Sequence, residues 1–166
     1  MPTPYLFPLP SITKQSVKTI LVTACFIGAA DGLAAILLTY SLYNRPPIIV
    51  FQYIASALLG RASFSGGFLS GLIGLIAHFF IALLWTILFF NLHPTFSFFV
   101  RNKIIKSIIY GIIIWTIMNL LVLPLSRIPS VNIDLYQALI GMAILIIAAG
   151  IPLSFIFDKF FFRTQA

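Results

Sequence analysis

A chain of 166 residues that is 61% hydrophobic and 8% charged has too few polar groups to cover a water-soluble surface, which excludes an ordinary globular enzyme and predicts an integral membrane protein. Ten Lys and Arg against three acidic residues give a net charge of +7, but the basic residues flank apolar segments instead of clustering, so nucleic-acid binding is excluded in favour of membrane topology and contact with anionic lipid. Cys25 is the only cysteine, so neither an intrachain disulfide nor a thiolate metal cluster is available.

The start, Met1 to Pro10, carries four prolines and no basic residue, unlike a secretory signal, and no cleavage is expected. Four segments then have membrane length: about 19–43, 66–90, 104–125 and 133–157. At 1.5 Å per residue the longer ones reach roughly 38 Å, more than a hydrocarbon core of about 30 Å, which predicts tilt. Between the first two lies an apolar stretch, 48–60, whose polar residues Gln52 and Ser56 fall four apart on one helical face. It is too short to cross and is expected as a helix on the outer surface or dipping back into the bundle, after a break at Asn44, Pro46 and Pro47. Thr95 to Val100 is aromatic and predicts an interfacial link on the cytoplasmic side. One side holds Lys14, Lys18, Arg101, Lys103, Lys106, Lys159 and Arg163, the other Arg45, Arg61 and Arg127. That bias places both termini in the cytoplasm.

Small and polar residues recur along one face of each segment. Ala24, Gly28, Asp31 and Ala35 align in the first, with Gly32 beside them; Gly67, Gly71, Gly74, His78 and Ala82 align in the second. Ser107, Gly111, Trp115 and Asn119 align in the third, and Ala138, Gly141, Leu145, Ala148 and Pro152 in the fourth. Lipid gives helices no hydrophobic reason to associate, so small residues that permit close approach mark the contact faces. The predicted fold is a single all-α transmembrane domain over 1–166, an antiparallel four-helix bundle with one short outer-face or re-entrant helix. Gly28, Gly32, Gly67, Gly71, Gly74, Gly111 and Gly141 are its predicted packing positions.

Asp31 is the leading functional candidate, because a carboxyl in the middle of an uncharged membrane-length run is costly. His78 stands at a similar depth in the second segment, so the two are expected to share a midplane polar site and to be able to pair. Asn119, roughly 7 Å further out in the third segment, and Arg61 extend that site toward an outer vestibule, where Gln52 and Gln137 also belong. The cytoplasmic half is expected to be drier, apart from a carbonyl freed where Pro152 kinks the last helix. Structural roles compete at each position: an interhelical hydrogen bond for Asp31, a single helix contact for His78, interhelical bonding for Asn119 and a snorkelling charge for Arg61 and Arg127.

Catalytic patterns are missing: no phosphate-binding glycine loop, no HExxH and no GxSxG, and Asp134 and Asp158 fall at the ends of the last segment, too far out for an intramembrane acid pair. No enzyme activity, cofactor or metal is expected. His78 within LIAHFFIALLW, the run from Gly111 through NLLVLPLSRIP with its turn at Pro124 and Leu125, and the closing apolar helix resemble the YagU-like family of small bacterial inner-membrane proteins over roughly the last hundred residues. The family places a histidine after a glycine in its fourth span, where this chain has Met142 after Gly141. That resemblance implies a bacterial inner-membrane location and assigns no activity. The expected function is a midplane site at Asp31 and His78 that binds or passes protons or a small solute; the alternative is a non-catalytic module that assembles with a membrane partner or senses lipid. Transport through so narrow a bundle would call for a homo-oligomer.

Overall fold

The computed structural model describes residues 12–128 and 134–164, and every regular element among them is helical. The proline-rich start at 1–10, the first residue of the expected fourth span at 133 and the Arg163 side chain lie outside the described residues. Helix α1 (Lys14–Tyr43) is set by a reciprocal cap. The Thr13 hydroxyl accepts the Ser16 amide at 3.1 Å while Ser16 Oγ accepts the Thr13 amide at 3.3 Å, which satisfies two donors otherwise bare at a helix start and begins the helix ahead of the predicted 19. It stops at Asn44, in the left-handed region at φ 48, just before two prolines that suit an ended helix.

Helix α2 (Ile48–Leu59) turns Gln52 and Ser56 inward, as their spacing predicts. The Gln52 amide donates to the Gly67 carbonyl at 3.0 Å and to Ser70 Oγ at 3.3 Å. After Gly60, at φ 62, a 3₁₀ segment (Gly60–Ser65) follows. Together, Ile48–Ser65 forms a fifth helical stretch long and apolar enough to cross a membrane, where the sequence predicts four. The C-terminal carbonyls of α2 are met from a distance: the Arg127 amide donates to Ala57 at 3.2 Å and its guanidinium to Leu58 at 3.4 Å.

Helix α3 (Gly67–Phe99) corrects the predicted end at 90, since it runs through Pro94 and takes in most of the aromatic stretch predicted as a separate link. Pro94 removes one amide from the ladder, but Phe89, Phe90 and His93 are buried against the other helices, and that packing outweighs one lost bond. Helix α4 (Lys103–Leu125) is capped by Asn102, whose Oδ1 accepts the Ile104 and Ile105 amides at 2.8 and 3.3 Å. Helix α5 (135–164) is capped by Asp134, which accepts the Gln137 amide at 2.7 Å. Both contain a π turn two residues ahead of a proline: Met118–Val122 before Pro124 and Ile146–Gly150 before Pro152. The Leu123 and Ile151 amides reach five residues back, to the carbonyls of Met118 and Ile146. The widened turn makes room for a ring that has no amide to give and would collide with a regular helical carbonyl.

Helix α1 packs on α3 and α5, α2 on α3, and α4 along α5. Side-chain-free positions set two of these crossings. A Cβ at Gly74 would overlap the Phe51 carbonyl of α2, and one at Gly150 would overlap the Ser107 carbonyl of α4. Gly150 is absent from the predicted stripe, whereas Gly67, predicted to be a packing position, has nothing within 4 Å of where a Cβ would stand. Its φ of 55 starts α3 and turns its carbonyl to Gln52.

Candidate functional site

Two polar regions lie between these helices. The first forms where α1 crosses α3. With no side chain at Gly28 the helices come close enough for His78 Nε2 to donate to the Gly28 carbonyl at 2.8 Å, and the ring rests against Gly32. A carbonyl only accepts, so this bond places a proton on Nε2 and leaves Nδ1 of a neutral ring as an acceptor. Asp31, one turn beyond Gly28, lines with His78 a cavity of about 210 Å³ whose wall also includes Tyr53 of α2, Trp85 of α3, Ile114 of α4 and Leu145 of α5. The Asp31 carboxyl is half-buried and has no hydrogen bond or ion pair among the described residues.

The structure therefore brings Asp31 and His78 to one cavity, though the histidine's hydrogen bond goes to a backbone carbonyl and not to the carboxyl. It does not bring the other two predicted residues there. Asn119 lies in the π turn of α4 and donates to the Trp115 carbonyl of its own helix at 2.9 Å. Arg61 is exposed in the 3₁₀ segment and is not part of the cavity wall. Gln137, also predicted for that half, donates to the Tyr43 hydroxyl at 2.9 Å.

The second region is polar and lies in the half that the sequence reading expects to be drier. Where α3 and α5 finish and α4 begins, His93, Lys106 and Asp158 are 1, 2 and 4% exposed. The Asp158 carboxylate accepts from His93 Nε2 at 2.9 Å and from the Lys106 ammonium. Lys106 also donates to Ser97 Oγ at 3.1 Å, and the Tyr110 hydroxyl donates to His93 Nδ1 at 3.1 Å. Lys103, 45% exposed, stands 4.0 Å from the second carboxylate oxygen with its ammonium 5.5 Å over the Phe155 ring. Aromatic side chains enclose the group: Phe161 stacks on His93 at 5.3 Å, Phe157 meets it edge-on at 5.8 Å, and Phe89 lies 4.1 Å from Tyr110.

Sequence reasoning counted Lys106 and Asp158 as end-of-helix charges and gave His93 no role. A signal was available: Asp158 is one of three acids in the chain and stands in FIFDKFFF, Lys106 and Tyr110 share a face of α4 at a spacing of four, and so do His93 and Ser97 on α3. Chemically the two regions differ in what they leave free. In the second, each ionisable group has its partner within the protein; in the first, an acid faces open space. Among the described residues no group of three His, Cys, Asp or Glu side chains is placed to hold a metal. No family model, curated protein or solved structure matches this chain.

Proposed function

We propose that this chain is a multi-pass protein of the bacterial inner membrane with both termini in the cytoplasm, and that the Asp31–His78 cavity is a binding site on a path for a small solute or a proton. Helices α1, α3, α4 and α5 form the transmembrane bundle and α2 packs against its outer end. Support for insertion comes from the five long apolar stretches and from large apolar side chains facing outward, such as Phe68, Leu69, Leu120 and Ile147, each more than 60% exposed. In water these would be a liability; in lipid they are solvated.

The observation that carries the functional reading is the Asp31 carboxyl, without a hydrogen bond or ion pair among the described residues, on a cavity it shares with His78. A carboxyl held at such a cost with no hydrogen bond among the described residues is poised to meet something that enters. In proteoliposomes carrying a pH or ion gradient, at matched incorporation, wild type is expected to show flux that Asp31→Asn loses. Equal flux from an equally stable variant would overturn the proposal. The rival reading, a non-catalytic assembly module, draws on the close glycine crossings; it predicts that Gly71→Leu disrupts assembly while Asp31→Asn is silent.

A further inference from the structure

Resting on the reading of the cavity as a binding site, we infer that its occupant is a small protonated amine carried on an apolar body. Among the described residues the wall is apolar apart from Asp31, His78, Tyr53 and the indole of Trp85. Ionised Asp31 only accepts hydrogen bonds. The Nε2 proton of His78 is already given to Gly28, so its remaining ring nitrogen also accepts, and Tyr53 works either way. The Trp85 indole can only donate, but with a carboxylate, a ring nitrogen and a phenol able to accept, the site suits a ligand that donates. Among the described residues no Lys or Arg lines the cavity, so His78 is the one titratable base beside Asp31, and with that imidazole bonded to Gly28 a ligand cation supplies the permanent counter-charge. A carboxylate or phosphate ligand would instead meet a like charge.

A bare metal cation is a poorer match, because alkali and alkaline-earth ions ask for about six oxygen ligands and this wall offers a carboxyl and a phenol. An alkylammonium needs few acceptors, and its hydrocarbon part finds the apolar remainder of the cavity. The Trp85 and Tyr53 rings add faces that attract a cation. The volume agrees: about 210 Å³ exceeds the roughly 150 Å³ of an apolar cavity that takes up benzene, leaving space for an aminomethyl group.

Trp85 lines the cavity and the other tryptophan is Trp115, so a Trp115→Phe background makes indole emission a local reporter. In the full-length chain in detergent at fixed neutral pH, benzylammonium, benzyl alcohol and benzoate are titrated in turn. We expect benzylammonium to bind at least tenfold more tightly than benzyl alcohol, with benzoate weakest. Asp31→Asn and Asp31→Ser are expected to abolish that tenfold preference, while Ala57→Phe, which fills the cavity, weakens every probe. Equal binding of amine and alcohol, or tighter binding of benzoate, would overturn the amine assignment while Ala57→Phe sensitivity upheld the cavity as a site. No binding of any probe would sink both. The wild-type ranking decides the matter even where a variant does not fold.

Discussion

Asp158 and Asp31 are both carboxyls inside a helical protein beside a histidine, yet their surroundings are opposite. Around Asp158, two ammonium groups and an imidazole supply charge and donors, aromatic rings exclude space, and even the Tyr110 hydroxyl is engaged. Around Asp31 there is a cavity, and the neighbouring imidazole is bonded elsewhere. Burying charge is tolerable when geometry and partners are complete, and breaking a complete set is then costly. The saturated region therefore acts as a lock joining α3, α4 and α5, whereas the open one has little to lose from within and something to gain from a ligand.

The largest effect that separates them is truncation of each acid. Asp158→Ala leaves the buried Lys106 ammonium without its counter-charge, with only the neutral Ser97 Oγ to accept from it, and is expected to cost about 3–5 kcal/mol, read as unfolding free energy in detergent. Asp31→Ala removes no hydrogen bond among the described residues and is expected to stay within about 1 kcal/mol of wild type. Adding Lys106→Met to Asp158→Ala should recover about 0.5–3 kcal/mol, the range of coupling between contacting groups. Equal losses from the two acids would break the distinction.

The crossings beside each region sharpen it. A methyl at Gly150 meets the Ser107 backbone, which is fixed, while one at Gly28 meets the Phe79 ring at 2.8 Å, which has a side chain's freedom to shift. Gly150→Ala is expected to destabilise by about 1–3 kcal/mol through overpacking, more than Gly28→Ala does. Thermal unfolding of the two variants side by side would show it, and the reverse order would mean that the α1–α3 crossing is the more rigid one.

The open region was legible in sequence and the lock was not, for physical reasons. Asp31 and His78 declare themselves locally: each interrupts an apolar run, and each shares a helical face with glycines, a relation fixed by 3.6-residue periodicity alone. His93, Lys106 and Asp158 lie near segment ends, where a charge ordinarily reaches water or headgroups. Their burial depends on α3 continuing past Pro94 and on α4 and α5 closing through Gly111 and Gly150, which are contacts between distant parts of the chain. The same limit applies to 48–65, since only the turn at Gly60 and the caps given by Arg127 show how that stretch is extended and held. Asn119 stands apart from the cavity wall for a different cause: its amide is taken by its own helix.

The finest test of the comparison deletes one oxygen from each region. Tyr110 is fully buried with its hydroxyl on His93 Nδ1, so Tyr110→Phe removes a bonded donor and leaves a buried ring nitrogen unsatisfied, at an expected cost of about 1–3 kcal/mol. Tyr53 lines the cavity, and Tyr53→Phe strands no partner among the described residues, so its stability should be unchanged within about 0.5 kcal/mol. The imidazole signals of His93 should also move in the first variant and stay in the second, whereas benzylammonium binding should weaken only in the second. A Tyr53→Phe variant as unstable as Tyr110→Phe would show that the cavity wall, too, is held by polar contacts within the protein, and the contrast between the two acids would fall.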